Sequence, residues 1–194
     1  MTKLSTLLRE VRGCEICVAH LPAGPRPILS ASATARILII GQAPGRRVHE
    51  SGVPWDDPSG ERLREWLGVT REEFYDPSVF ALVPMGFCYP GTGSSGDLSP
   101  RPECAETWHE RLLEHMPAVR LTILLGRHAH DRYLGATRQE TLTATVKAWK
   151  TYRRRYLPLP HPSPRNNIWL KKNPWFAEEL LPYLRRRVRQ SIRP

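Results

Sequence analysis

The run Arg36-Ile-Leu-Ile-Ile40 constrains this chain most. It is apolar at four consecutive positions, too short for a buried helix, and bounded by a turn sequence. A strand of that kind has no polar face, so both of its faces must be covered. That is the environment of a parallel sheet with helices on each side. Three further short runs fit the same reading: Val79–Val83, Leu121–Leu125 and Tyr156–Leu159. Helical patterns lie between them, so the order alternates β and α. We therefore expect a three-layer α/β/α fold around a mainly parallel, four-stranded sheet, built as a single domain over residues 1–194.

The segments between the strands carry their own signals. Leu4, Leu7, Leu8 and Val11 recur at helical spacing over residues 3–12, and Gly13 ends that helix. Residues 20–35 and 46–51 read as irregular connections. A helix is expected from about Gly60 to Leu67, with Leu63, Trp66 and Leu67 inward. Another runs from Cys104 to about His115, a third from Gly126 to about Leu134, and a last one follows Pro174 with Phe176, Leu180, Leu181 and Leu184 inward. The stretch from Phe87 to Cys104 reads as one long loop. Such a length demands a tether or a function. Residues 136–155 are ambiguous, with Thr and Val favouring strand and the charges favouring a loop.

Open α/β sheets place ligands at the carboxyl ends of their strands. The first strand runs into Gly41-Gln-Ala-Pro-Gly45, which is neither a dinucleotide fingerprint nor a phosphate loop. The last runs into Pro160-His-Pro-Ser-Pro-Arg-Asn166. Prolines at 158, 160, 162 and 164 deny this segment a helix and make it a stiff, extended loop around His161. The net charge of +10 favours a polyanionic partner, nucleic acid before an acidic membrane. The runs Arg153–Arg155 and Arg185–Arg187, with the tail to Arg193, are either part of that surface or a solvated basic face. No apolar run spans a bilayer and no signal segment opens the chain at Met1. A soluble, cytoplasmic, monomeric protein is expected.

Four cysteines stand at Cys14, Cys17, Cys88 and Cys104, the first two as a tight C-x2-C. In a reducing compartment they are better read as four thiolate ligands than as two disulfides. Four thiolates suit an iron–sulfur cluster or tetrahedral zinc.

Gly41–Gly45 and His161–Asn166, taken together, resemble the two signature motifs of the uracil-DNA glycosylase superfamily, and the resemblance covers nearly the whole chain. The His-Pro-Ser-Pro loop is similar to the classical and single-strand-selective branches. The Gly-x-Ala-Pro-Gly loop and the cysteine spacing look like the iron–sulfur branches, families four and five. The resemblance implies a [4Fe–4S] cluster on Cys14, Cys17, Cys88 and Cys104, with structural zinc as the alternative. It implies a monofunctional glycosylase acting on a deaminated base in DNA, or else a binding protein of the same fold without turnover.

Roles follow by the same resemblance. His161 donates to the leaving base. Trp55 stacks on the base, or is ordinary core packing. Gln42 and Phe87 are base-contacting candidates, Phe87 through its backbone. Gly45, Ser163, Pro164, Arg165 and Lys171 are DNA-contacting candidates, Lys171 and its neighbour Lys172 equally readable as a solvated face. One departure matters: the first motif carries Gln42 and Ala43 where related branches carry a carboxylate, and an amide is no general base at neutral pH. The nearest substitute is Asp56-Asp57, where Asp57 is either catalytic or a helix cap. His49 is expected as an exposed loop residue.

Overall fold

The computed structural model describes residues 3–94 and 96–192. Arg193, the end of the basic tail, lies outside them, as does Met1. The sheet order is β2-β1-β5-β6, all parallel, from Ile37–Ile40 (β1), Phe80–Leu82 (β2), Leu121–Leu125 (β5) and Tyr156–Leu159 (β6). Two further strands, Thr92–Gly93 (β3) and Gly96–Asp97 (β4), form a small antiparallel hairpin. In register, Ile39 pairs with Leu82 on one side and Ile123 on the other, and Leu125 pairs with Leu159. Pro158 is tolerated because β6 is an edge strand, where one side of the backbone needs no ladder partner.

Strand residues alternate between two cores, as the period-two pleat requires. Leu38, Ile40, Ala81, Val83 and Leu124 pack with Leu4, Leu7, Trp108 and Leu112 on one face. Ile37, Ile39, Leu82, Ile123, Leu125 and Leu159 pack with Leu63, Trp66, Phe176 and Leu184 on the other. The helices of the first layer are Lys3–Arg12 (α1), then Pro102–Cys104 (α5) and Glu110–Glu114 (α6), joined by a π-helical turn at Ala105–His109. The second layer is built on Pro58–Leu67 (α3) and Leu181–Ile192 (α11).

Several expectations change. Residues 46–51 are not a loop but a short helix, Arg46–Ser51 (α2). His49 therefore sits on a helix, half-buried against Tyr89, rather than exposed in a loop. Arg71–Tyr75 (α4) forms a helix closed by a capping box between Thr70 and Glu73. The long loop after Phe87 contains the β3–β4 hairpin. Arg127–Leu134 (α7) follows β5 as expected. Residues 136–155, where strand seemed open, are helical at Leu142–Lys147 (α8) and Trp149–Tyr152 (α9). There Thr141 caps the first turn and Val146 and Trp149 supply apolar burial, so tertiary packing overrides the β propensity of Thr and Val. Asn167–Lys172 (α10) continues the proline loop.

The arginine runs lie away from the carboxyl edge of the sheet. Arg153–Arg155 precede β6, at the opposite end of that strand from His161. Arg185 donates to the carbonyls of Glu65 and Trp66, and Arg189 to the Gly68 carbonyl and to the Glu73 carboxylate on α4, so both serve the C-terminal end of α3.

Candidate functional site

A cavity of about 380 Å³ opens at the carboxyl edge of the sheet. Its walls come from the loops after β1, β2 and β6, from residues 54–59, and from the hairpin strand β4. Gln42, Gly45, Trp55, Asp57, His161, Ser163 and Arg165 all line it. The two loops singled out in the sequence, 120 residues apart from Gly41 to His161, thus meet because β1 and β6 flank β5 in one parallel sheet. β5 itself is followed by Gly126, whose φ of 82° and lack of a side chain leave room beside His161.

His161 lies deep in this cavity. Among the described residues its ring nitrogens have no hydrogen-bond partner, and burial pushes its pKa down to about 4. The imidazole is therefore neutral at physiological pH. Its loop is fixed by hydrogen bonds: Asn166 Nδ2 donates to the His161 carbonyl at 2.7 Å, Arg62 Nη1 and the Asn166 N–H to the Ser163 carbonyl at 3.0 and 2.9 Å, and the Arg165 N–H to Ser163 Oγ at 3.3 Å. Trp55 stacks on His161 with ring centroids 5.6 Å apart and planes 28° from parallel.

Trp55 has a φ of 60°, the one positive value at a non-glycine residue among those described. For an aromatic side chain this left-handed conformation costs about 1–3 kcal/mol. Two glycines make room for it. A Cβ on Gly41 would meet the indole at 2.6 Å, and one on Gly60 would meet the Trp55 carbonyl oxygen at 1.8 Å. The first-motif loop is also tied to the wall after β2, with the Met85 N–H donating to Gly41 O and the Gly86 N–H to Gln42 O, each at 2.9 Å.

Asp57 does two things at once. Its Oδ1 accepts from the Gly60 N–H at 2.8 Å, capping α3, and its side chain faces the cavity. Burial raises its pKa above the ordinary carboxylate value, opposed by the Gly60 and Ser59 N–H groups and by Arg64 and Arg47. The cap and the cavity-facing roles, alternatives in the sequence, are compatible in the fold.

Phe87, a base-contacting candidate through its backbone, is 1% exposed, stacks on His109 at 5.6 Å, and lines the cysteine cavity rather than the one around His161. Lys171 and Lys172 are exposed on α10 and do not line the cavity. Pro164 is exposed on the same loop as Arg165. The side chain of Arg165 rests on the hairpin, where a Cβ on Gly96 would meet its Nη1 at 1.8 Å.

Sequence reasoning missed Asp97 and Leu98, which close the cavity from β4 and the residue after it. Thr92 Oγ1 donates to Asp97 Oδ1 at 3.2 Å. Nothing in a Gly/Ser-rich stretch marks Asp97 apart from its neighbours. Pro84 was missed also. Its carbonyl accepts from His109 Nε2 at 3.0 Å, while Tyr133 O–H donates to His109 Nδ1 at 2.6 Å. The carbonyl can only accept, so the tautomer is Nε2–H, and burial holds the ring neutral with a pKa of about 4.

The four cysteines are free thiols lining a second, small cavity with Leu21, Pro27, Gly86, Phe87 and Arg101. Burial raises the thiol pKa of Cys17 and Cys88, and pushes that of Cys104 up to about 12. As they stand, no group of three or more His, Cys, Asp or Glu side chains among the described residues is arranged to hold a metal ion. The donor chemistry nonetheless fits a thiolate-bound group: four sulfurs from three segments reach one apolar space where only a cation would favour the thiolate.

A family model described as the uracil DNA glycosylase superfamily matches residues 29–185. A curated relative, the type-4 uracil-DNA glycosylase of Archaeoglobus fulgidus, is 28% identical over 134 residues, covering 66% of this chain. The chain spans 62% of that relative's length. A solved structure, the crystal structure of wild-type Pedobacter heparinus SMUG2, aligns with a TM-score of 0.39 at 15% identity, over 77% of this chain and 74% of that one.

Proposed function

The chain belongs to the uracil-DNA glycosylase superfamily, and on that premise we propose that it is a monofunctional DNA glycosylase of base-excision repair, hydrolysing the N-glycosidic bond of uracil or another deaminated base flipped out of DNA. The observation that carries this reading is His161: a half-buried, neutral imidazole with no hydrogen-bond partner among the described residues, stacked beside Trp55 in a cavity large enough for a base. In a duplex the scissile bond is hidden, so the nucleotide must leave the stack before reaction.

As the C1′–N bond breaks, its electron pair stays on the base and negative charge grows on the base oxygen. A fixed, neutral N–H donor stabilises that charge without having to release a proton. His161 has that form, and its proline-bounded loop fixes its aim. Trp55 offers a stacking face for the base. The sugar becomes cationic at C1′, where water adds and loses a proton. Asp57 is the group we assign to that end of the reaction, stabilising positive charge and accepting the proton. Gln42 holds water or base edge through its amide. No lysine among the described residues lines the cavity, which supports hydrolysis without a lyase step. Gly45, Ser163, Pro164 and Arg165 form the rim that meets the DNA backbone, with Lys171 beyond them.

We further propose that Cys14, Cys17, Cys88 and Cys104 hold a [4Fe–4S] cluster, zinc being the alternative. When bound, such a group supplies a structural cross-link, here between the end of α1, the segment after β2 and the start of the helix at Pro102. Anaerobically purified protein is expected to be brown with visible absorbance, and Cys104→Ser to lose both colour and thermal stability; a colourless, zinc-containing protein sinks the cluster assignment. We place the protein in the cytoplasm as a monomer.

The absence of a carboxylate in the Gly41–Gly45 loop favours one second reading, a lesion-binding protein without turnover. Both are separated by incubating purified protein with single- and double-stranded oligonucleotides bearing uracil, hypoxanthine or xanthine, then cleaving abasic sites with alkali. Strand cleavage on one of these substrates is expected. Retained DNA affinity with no cleavage on any of them selects the binding protein instead.

A further inference from the structure

The left-handed backbone at Trp55 needs something to hold it. Beneath it lies Arg64, 8% exposed, a buried cation that makes no ion pair among the described residues. The carboxylate that feels its charge is Asp57, the cap of α3, but the two make no direct ion pair, so the guanidinium's own contacts lie elsewhere. Its surroundings are specific. Nη1 donates to the Trp55 carbonyl at 3.3 Å. The guanidinium carbon lies 5.5 Å from the centre of the Phe74 ring and 5.9 Å from that of Tyr75, on the aromatic walls supplied by α4. Tyr75 completes the clamp, its O–H donating to the Pro54 carbonyl at 2.9 Å. Two consecutive carbonyls, 54 and 55, are thereby pulled toward the α3–α4 corner. The indole is turned the other way, over Gly41 and against His161.

We propose that Arg64 is a positioning residue: through the Trp55 carbonyl, and with Tyr75 on the Pro54 carbonyl, it holds the left-handed turn that keeps the Trp55 indole preformed as the platform for the flipped base. The proposal rests on the glycosylase reading for the identity of the base, but the positioning itself does not. Guanidinium suits the task because it is planar, always charged, and able to donate in one direction while lying against aromatic rings. Lysine offers a point charge and no plane, so Arg64→Lys is not a conservative change here. The device also explains why the first turn of α3 carries a glycine at position 60, where the Trp55 carbonyl must pass.

The test uses the full-length protein with its six tryptophans replaced by 5-fluorotryptophan. The 19F resonance of Trp55 is assigned by its disappearance in Trp55→Phe. In Arg64→Met, and less strongly in Arg64→Lys, the Trp55 resonance is expected to move or broaden while the other five stay in place. Tyr75→Phe, which deletes one hydroxyl and keeps the ring, is expected to move the same resonance in the same direction; it decides the question if the Arg64 variants do not fold. On a uracil-containing single-stranded oligonucleotide, Arg64→Met is expected to lose about tenfold in activity (~1.4 kcal/mol), and Trp55→Ala added to it to lose little more than Trp55→Ala alone, because the two act as one unit. An unmoved Trp55 resonance in folded Arg64→Met or Tyr75→Phe overturns the proposal, as do two losses that multiply. If the wild-type protein excises no base, the glycosylase reading fails, and the 19F comparison still decides whether Arg64 positions Trp55.

Discussion

At the scale of single residues, protonation states set what the site can do. His161 is held neutral by burial, whereas burial raises Asp57 above an ordinary carboxylate. On our reading the reaction needs Asp57 ionised, so activity falls as pH drops through the raised value. Asp57→Asn is expected to lower the rate and to flatten the acid limb of the pH profile. An unchanged rate and profile would remove Asp57 from the chemistry and leave it as the cap of α3. His161→Gln is expected to cost about 10²–10³ in kcat, the range seen when one donor to a developing oxyanion is removed. At neutral pH the same change is expected to leave thermal stability nearly unaltered, because the ring makes no hydrogen bond among the described residues. Both residues were singled out from the sequence, His161 by its proline frame and Asp57 as the nearest carboxylate, and the family resemblance suggested the role of each. Their environments were not legible there, since burial of a single imidazole depends on what the other loops bring to it.

At the scale of elements, the helix ends explain residues that composition alone misassigns. Arg185 and Arg189 belong to a basic run that suggested DNA binding, yet they bond to carbonyls at the end of α3. Arg185→Ala and Arg189→Ala are each expected to cost about 1 kcal/mol of stability in a denaturant titration. Neither is expected to weaken DNA binding. The π-helical turn at Ala105–His109 is a second case. It presents His109 to the Pro84 carbonyl and to Tyr133, so the helix that starts beside Cys104 also fixes a wall of the cavity. Residues 142–152 and α10 went unread as helices because their apolar positions are few and their stability comes from contacts with α11, β6 and Trp175. The four strands of the parallel sheet, by contrast, were read to within a residue or so, since short runs of mostly apolar residues bounded by turn sequences suit little else, whereas the two-residue strands β3 and β4 carry no such run and went unread.

At the scale of the whole molecule, the charge of +10 is not spread evenly with respect to the cavity. Arg46 and Arg47 lead away from Gly45, and Arg165 lines the cavity, whereas Arg153–Arg155 stand at the far end of β6. The salt dependence of DNA binding tests this. Arg46→Ala, Arg47→Ala and Arg165→Ala are each expected to reduce the log–log salt slope by about one, and the triple change Arg153–Arg155 to alanine to leave it nearly unchanged. Stability has its own pH signature. His109 and His161 have folded pKa values of about 4, below the ordinary value of about 6.5. Between those limits the unfolded chain takes up protons that the folded chain does not, so stability present above about pH 6.5 is lost as pH falls toward 4. The loss approaches about 3 kcal/mol for enclosed His109 and is smaller for His161, which opens on the cavity. Asp57 works in the opposite sense, contributing stability at low pH that is lost as pH rises through its raised value. A melting temperature that does not fall between pH 7 and 4 would contradict this balance. The sequence by itself determined the parallel sheet, the two loops and the four thiols, because short apolar runs, prolines and cysteines impose strong local constraints. Only the tertiary structure decided that Phe87 faces the cysteines, that Asp97 closes the cavity, and that Trp55 is held left-handed over Gly41. Each of those depends on which distant segment arrives alongside, and that is fixed by the parallel order β2-β1-β5-β6 rather than by any local pattern.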